Sequence, residues 1–248
     1  MIGAGRTDKG IVRKDNQDYF QVAELTAGKL LTAVVCDGMG GAKAGNVAST
    51  LAVETFIEAL SGEPGALLDD EFVEDALTDA LMAANRVVHE MAKTHTDYKG
   101  MGTTMVGAVI CQKEGQLRAH IINVGDSRAY LISDGQMLQI TRDHSLVEDM
   151  ILRGDITRDE ALHHPSRNLI TRALGTEPYV KRDLFKVDLK AEDRLLLCTD
   201  GLTNLVSDTE LLEEIGHYSD LDKCCEMLIT MALAKGGPDN VTVLMISV

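Results

Sequence analysis

The sequence is poor in aromatic residues and contains no tryptophan. Its 248 residues include five Tyr and four Phe against eleven Met, while hydrophobic residues as a whole make up 45%. That hydrophobic fraction is normal for a globular protein. We therefore predict a sizeable but aliphatic core, in which methionine fills the gaps between branched side chains.

Cysteine is also sparse, and its spacing excludes the common thiol motifs. The five cysteines form no CxxC pair, and Cys36, Cys111 and Cys198 lie in or beside apolar runs, where buried thiols are expected. HExxH and EF-hand sequences are missing as well. We predict neither a disulfide framework nor a zinc site, and calcium is disfavoured.

Positive charge is scarce. There are 24 Lys and Arg against 39 Asp and Glu, a formal charge of −15, which disfavours nucleic acid and anionic membranes as partners. No apolar run approaches the ~20 residues of a membrane helix, and the N-terminal segment is too polar for a signal peptide. We expect a cytoplasmic protein that does not bind a membrane.

Apolar runs and amphipathic stretches alternate in blocks along the chain. Runs rich in β-branched residues predict strands at residues 30–36, 103–111, 117–124, 128–132, 194–199 and 241–248. Apolar spacings of three and four predict helices at residues 44–60, 71–94, 146–153, 208–215 and 221–235. Paired long helices between blocks of strands, with a hairpin turn at 133–136, favour an α+β fold over alternating βαβ units. We expect one domain, residues 1–248, with a charged, loop-rich excursion at 141–175 that we call the flap.

Four aspartates mark the ends of apolar strands, and they are Asp37, Asp126, Asp200 and Asp239. A carboxylate beside a buried strand is costly unless something compensates its charge. A single Asp-Gly is usually only a turn, as at Asp134-Gly135, but four strand-end acids are poorly explained by four independent turns. Hard cations take oxygen ligands, so the pattern predicts Mg²⁺ or Mn²⁺.

A basic residue accompanies the acids. Arg13 lies five residues before Asp18, and the planar guanidinium group suits two phosphate oxygens. An ordinary surface charge is an equally good interpretation of Arg13 alone. The adjacent His163 and His164 are interpreted as part of the flap, because neighbouring side chains on a helix point apart.

With these residues identified, the chain resembles the PPM family, the metal-dependent protein phosphatases of the protein phosphatase 2C type, and in particular its compact bacterial branch. The resemblance covers nearly the whole chain and rests on eight motifs in order: TDKGIVRKDNQD (7–18), VVCDGMGG (34–41), GTT (102–104), NVGDSRAYL (123–131), TRDHSL (141–146), HPSRNLITRALG (164–175), CTDGLTN (198–204) and GGPDNVTV (236–243). It implies two antiparallel β-sheets packed as a central sandwich, helical layers outside, and metals at one edge.

The resemblance also implies a ligand set for two Mn²⁺ or Mg²⁺ ions. The residues are Asp18, Asp37, Gly38, Asp126, Asp200 and Asp239. Asp37 would bridge the ions and Gly38 would offer its carbonyl oxygen, while Asp200 and Asp239 would complete the shell of the first ion. Asp18 is matched to the acid associated with the second ion. Asp126 is matched to an acid that, together with the Asp200 side of the site, can hold a third, weaker ion in bacterial members.

Arg13 matches the phosphate-binding arginine of the family, but two positions depart from the pattern. Gln17 stands where glutamate is common, and Met39 stands where animal members have a histidine proposed as the general acid. Gln17 is expected to loosen the shell of the second ion. Met39 cannot donate a proton, so a metal-bound water near Asp126 is the expected donor.

The implied activity is that of a protein serine/threonine phosphatase, in which a water that bridges the metals attacks phosphorus without a covalent phospho-enzyme. The expected partners are proteins phosphorylated by a Ser/Thr kinase, the protein is expected to be a monomer, and the flap is expected to shape protein-substrate access. A small-molecule phosphohydrolase and a non-catalytic phosphate-binding module remain as alternatives. A metal-dependent nuclease is disfavoured by the charge.

Overall fold

The computed structural model describes residues 1–25, 29–41, 44–62, 64, 67, 70–113 and 115–248, and the other positions of the predicted domain lie outside the described residues. Two antiparallel β-sheets pack face to face, and helices cover both outer faces. This arrangement confirms the predicted α+β sandwich.

The strands are β1 (Ile2–Asp8), β2 (Asp18–Leu25), β3 (Leu30–Met39), β4 (Gly102–Thr103), β5 (Met105–Lys113), β6 (Gln116–Val124), β7 (Arg128–Ser133), β8 (Gln136–Gln139), β9 (Asp183–Leu189), β10 (Arg194–Cys198) and β11 (Val241–Ser247). The first sheet has the order β1-β11-β10-β7-β8. The second has the order β2-β3-β5-β6-β9, with the short β4 beside β3.

The helices are α1 (Ala44–Gly62), α2 (Asp70–Thr94), α3 (Leu146–Arg153), α4 (Arg158–Leu162), α5 (Asp200–Thr203), α6 (Asp208–Gly216) and α7 (Leu221–Ala234). Their starts follow local sequence signals: Ser207 and Glu210 form a capping box at α6, and the Asp220 carboxylate accepts the first amides of α7. Within the described ranges, no helix combines the length and the apolar character that crossing a membrane would need.

Strand β3 shows how the layers are built. Its side chains alternate, so Val34 and Cys36 pack against α1 and α2, while Leu31, Ala33 and Val35 pack against the other sheet. Both faces are therefore buried, which explains the continuous apolar run. The first sheet is covered in the same way by α6 and α7.

The antiparallel pairing gathers several strand ends at one edge of the sandwich. Asp18, at the start of β2, is paired with Asp37 near the end of β3. Cys198, the last residue of β10, is paired with Val243 near the start of β11. Residues that are distant along the chain therefore meet at one rim.

The predicted strands and long helices are present, but β1, β2 and β9 were not predicted. Their segments lack continuous apolar runs, and most of their side chains are only partly buried. The hairpin turn is confirmed: Ser133 pairs with Gln136, and Asp134 and Gly135 have φ values of 50° and 72°, as a two-residue turn requires.

Candidate active site

A cavity of about 250 Å³ opens at the rim where the strand ends meet. Six of the seven residues proposed from sequence line it, namely Arg13, Asp37, Gly38, Asp126, Asp200 and Asp239. The structure thus brings together groups from both sheets.

The backbone amides of Asp37 and Gly38, at the end of β3, are both held by hydrogen bonds. The amide of Asp37 donates to Thr104 Oγ1 at 2.9 Å, and the amide of Gly38 donates to the Gln17 carbonyl oxygen at 3.0 Å. A Cβ atom at Gly38 would lie 2.0 Å from the Gly45 carbonyl oxygen, so a side chain cannot fit there. The close approach of α1 to this turn therefore requires glycine.

Asp200 follows β10 directly and begins α5. Its Oδ2 atom accepts a hydrogen bond from Asn204 at 2.9 Å, while its Oδ1 atom is buried without a partner. Asp37 lies within hydrogen-bonding reach, and Asp126 is close enough for its pKa to respond to the Asp200 charge. These three carboxyl groups form the acidic centre of the cavity.

Asp239 lies beside Arg13, whose Nη2 atom donates to Asp239 Oδ2 at 2.7 Å. The Asn240 side chain holds the loop that carries Arg13, because its Nδ2 atom donates to the carbonyl oxygens of Lys9 and Asp15 at 2.8 and 3.0 Å. The arginine side chain is 52% exposed. An ion pair this exposed contributes little to stability, so the guanidinium can exchange partners easily.

Asp18 lies behind the cavity rather than in its wall. It is buried, and its Oδ2 atom accepts hydrogen bonds from Thr199 at 2.9 Å and Thr242 at 2.7 Å. Its Oδ1 atom is buried without a partner. Because Asp18 is paired with Asp37 across the sheet, its charge acts on the cavity from below.

The acidic cluster is electrostatically costly in the absence of cations. Burial, followed by repulsion from neighbouring carboxylates, raises the pKa of Asp37, Asp126 and Asp200. Burial likewise raises the pKa of Asp18 to about 7, although the Thr242 and Thr199 hydroxyls oppose the shift. The site therefore favours either protons or positive ions.

No three Asp, Glu, His or Cys side chains stand grouped as a finished metal centre in the part of the chain that the structure describes. The carboxylates are turned towards local donors, Arg13 for Asp239 and Asn204 for Asp200. The donor chemistry nevertheless fits hard cations, since the ligands are oxygen atoms and Asp200 has a buried oxygen without a partner. Divalent cations would supply the positive charge that offsets the repulsion among these carboxylates.

Residues of the flap also form part of the cavity wall. Asn168 and Ile170 line the first cavity, and a second cavity of about 510 Å³, walled by α3 and α4, shares Asp126 and Asp200 with it. Asn168, Thr104 and Asn240 were not predicted as site residues, although all three lie within the motifs quoted above. An acid-lined cavity with an arginine at its edge is typical of metal-assisted phosphate ester hydrolysis.

Comparison with known proteins agrees with this geometry. The family model described as protein phosphatase 2C matches residues 2–232. The serine/threonine phosphatase stp of Listeria innocua is 41% identical over 241 residues, which cover 97% of this chain and 93% of that protein. The crystal structure of the serine/threonine phosphatase Stp1 from Staphylococcus aureus is 36% identical with a TM-score of 0.90, covering 99% of this chain and 94% of that one.

A third similar structure is the catalytic domain of the serine/threonine protein phosphatase PstP in complex with two manganese ions. It is 37% identical, with a TM-score of 0.81, and the match covers 98% of this chain and 96% of that one. The chain belongs to the protein phosphatase 2C family. It is accordingly a phosphatase enzyme.

Proposed function

We propose that this protein is a Mn²⁺- or Mg²⁺-dependent phosphatase that hydrolyses phosphoserine and phosphothreonine in other proteins. The observation that carries the proposal is the convergence of Asp37, Asp200 and Asp239 with Arg13 around one cavity. Carboxylates suit the cations and guanidinium suits a phosphate monoester. The names of the Listeria and Staphylococcus relatives support the same substrate class.

The residues proposed to hold two cations are Asp37, the Gly38 carbonyl, Asp200 and Asp239, with Asp18 behind them and Asp126 beside a third, weaker position. The two manganese ions of the PstP catalytic domain support this number. Bound cations of this kind lower the pKa of a coordinated water and offset negative charge on phosphoryl oxygens.

The protein's own groups orient the substrate. Arg13 is proposed to leave Asp239 and to bind two phosphoryl oxygens, which a half-exposed ion pair permits at low cost. Met39 lines the cavity and has no proton to donate, so solvent beside Asp126 is proposed to protonate the leaving alkoxide. Gln17 is neutral where many family members carry glutamate, which leaves the rim with one negative charge fewer.

The adjoining cavity favours a protein substrate over a small phosphate ester. The first cavity, about 250 Å³, suits the phosphorylated side chain, and the second, about 510 Å³, continues from Asp126 and Asp200 along the flap. A polypeptide can occupy both, whereas a small metabolite would leave the second empty.

We further propose that residues 1–248 act as one catalytic domain, as a monomer in the cytoplasm, on proteins phosphorylated by a Ser/Thr kinase. The core between the sheets supports the single domain, since it combines side chains from β3 and from β11.

The test is a dephosphorylation assay with phosphoserine, phosphothreonine and phosphotyrosine peptides of one sequence. With Mn²⁺ present, we expect turnover of the first two to exceed that of the third, and EDTA to abolish it. Turnover that survives EDTA, or a preference for phosphotyrosine, would contradict the proposal. Faster hydrolysis of metabolite phosphates than of all three peptides would favour the small-molecule alternative.

A further inference from the structure

His144, the second residue of the flap's DHS sequence, makes two hydrogen bonds to one glycine. Its backbone amide donates to the Gly125 carbonyl oxygen at 2.9 Å, and its ring Nδ1 atom accepts from the Gly125 amide at 3.0 Å. The side chain is only 3% exposed. His144 therefore contacts both polar groups of the Gly125 backbone, and the carbonyl oxygen also accepts a hydrogen bond from Asn123 Nδ2 at 3.3 Å.

The far side of the ring is held as well. Because Nδ1 accepts a hydrogen bond, the ring proton of neutral His144 is on Nε2, which faces Asp183 Oδ2 at 3.2 Å. Arg172 Nη1 donates to Asp183 Oδ1 at 2.7 Å and lies 3.0 Å from Nε2. Burial lowers the pKa of His144, which is consistent with the neutral ring.

The same residue reaches the other end of the flap. The amide of Thr171 donates to the His144 carbonyl oxygen at 2.8 Å, and Ser145 forms a β-bridge with Ile170. His144 therefore joins the turn after β6, both ends of the flap and the start of β9.

The turn that His144 holds carries a residue of the active site. Gly125 has a φ of 106°, a conformation that L side chains rarely adopt. The next residue is Asp126, which lines both cavities. Because glycine is conformationally free, contacts from outside the turn restrict the positions that the following side chain can take.

We propose that His144 is a positioning residue that fixes the Gly125–Asp126 turn and couples it to the two ends of the flap. The effect of His144 on cation binding rests on the function proposed above, because His144 acts through Asp126. The effect of His144 on the conformation of the turn is independent of that function. In metal sites, loss of a residue that supports a ligand typically weakens metal affinity about 10- to 100-fold.

The first test uses the metal-free protein and follows amide hydrogen exchange of Gly125 by NMR. In His144→Leu, which removes both ring nitrogens, we expect exchange at Gly125 to accelerate more than at core amides of β10. In His144→Asn, whose side-chain oxygen can replace the Nδ1 acceptor, we expect protection to be largely kept. His120→Leu, a substitution of a fully buried histidine within β6, controls for loss of a core histidine.

The second test measures Mn²⁺ binding by calorimetry in wild type, His144→Leu, Asp126→Asn and the double variant. We expect each single variant to weaken the lowest-affinity Mn²⁺ binding at least about 10-fold, and the double variant to be no weaker than Asp126→Asn alone. Non-additivity of this kind shows that the two residues act as one unit.

Two results would overturn the inference. One is a Gly125 amide exchange rate that rises no more in His144→Leu than in His120→Leu. The other is Mn²⁺ binding in His144→Leu that equals wild type while only the melting temperature falls, since that would leave His144 a purely structural role. If wild type bound no Mn²⁺ at all, the proposed function would fail, and the exchange experiment alone would still decide whether His144 holds the turn.

Discussion

The acidic rim and the flap are built in different ways. The rim places its carboxylates at the ends of paired strands, and the backbone there is fixed by sheet pairing and by threonine and asparagine side chains. The flap consists of two short helices joined by loops, and it exposes Leu152, Leu162 and Leu169 by more than half.

Their charges differ as well. The flap has five Lys and Arg against six Asp and Glu, so the charge of −15 belongs almost entirely to the remainder of the chain. The difference teaches that the groups proposed to carry the chemistry lie at the ends of paired strands, whereas the element proposed to meet the protein substrate is nearly neutral and more exposed.

The largest effect is expected from removing a rim carboxylate. Asp37→Asn and Asp239→Ala should each lower kcat for p-nitrophenyl phosphate in Mn²⁺ by at least about 10³-fold, because cation stabilisation of the developing charge is lost. Asp134→Asn is the matched control, since Asp134 lies in an exposed hairpin turn and asparagine tolerates its positive φ. Full activity of either rim variant would refute the assigned site.

A smaller effect is expected from Arg13. Arg13→Ala should reduce kcat/KM about 10- to 100-fold, the loss expected for one hydrogen bond to a charged group at about 1.5–3 kcal/mol. Arg13→Lys should restore only part of the activity, because lysine cannot bind two oxygens in one plane. Lys14→Ala, a change at the neighbouring exposed cation, should have little effect; equal losses in both variants would indicate a general charge effect instead.

The flap should affect protein substrates selectively. Leu162 lines the second cavity and is 65% exposed, so Leu162→Ser should lower kcat/KM for a phosphoprotein up to about 10-fold through lost apolar contact. Hydrolysis of p-nitrophenyl phosphate should stay unchanged. Leu138→Ser serves as the control because Leu138 is similarly exposed on the edge strand β8. A parallel fall for both substrates in Leu162→Ser would contradict the division of labour between rim and flap.

The smallest effect concerns pH and stability. The pKa of Asp18 is raised to about 7. Without cations, the folded protein therefore binds more protons than the unfolded chain at pH values between the ordinary pKa of aspartate and about 7. Stability should therefore fall by a few degrees in Tm as pH rises from 5 to 8 in EDTA. Saturating Mn²⁺ should remove or reverse the trend, because the cations then stabilise the ionised carboxylates.

Asp18→Asn provides the control for this dependence. It replaces the titrating carboxyl group with a neutral side chain of the same shape, so its Tm in EDTA should vary less with pH than that of wild type. An identical pH dependence in wild type and variant would mean that Asp18 does not titrate as described.

The sequence predicted the carboxylates of the rim better than the residues that hold them in place. Asp37, Asp200 and Asp239 flank strongly apolar strands, and the antiparallel pairing of β10 with β11 brings Asp200 and Asp239 to the same edge. The burial of Asp18 was not predictable from its polar segment, because it follows from Thr199 and Thr242, which approach only in the folded state.

The flap could be recognised as an excursion, but its attachment could not be read from sequence. The contact between His144 and Gly125 joins residues 19 positions apart, and nothing in local periodicity indicates it. The contact between Arg172 and Asp183 is equally invisible, since charged residues are common throughout the segment.

The measurement that tests the account most directly is a calorimetric titration of the metal-free protein with Mn²⁺, beside Asp37→Asn. We predict at least two ions per chain for wild type and loss of that binding in the variant, which lacks the carboxylate proposed to bridge them. Wild type without Mn²⁺ binding, or a variant that binds the same number of ions with the same affinity, would contradict it.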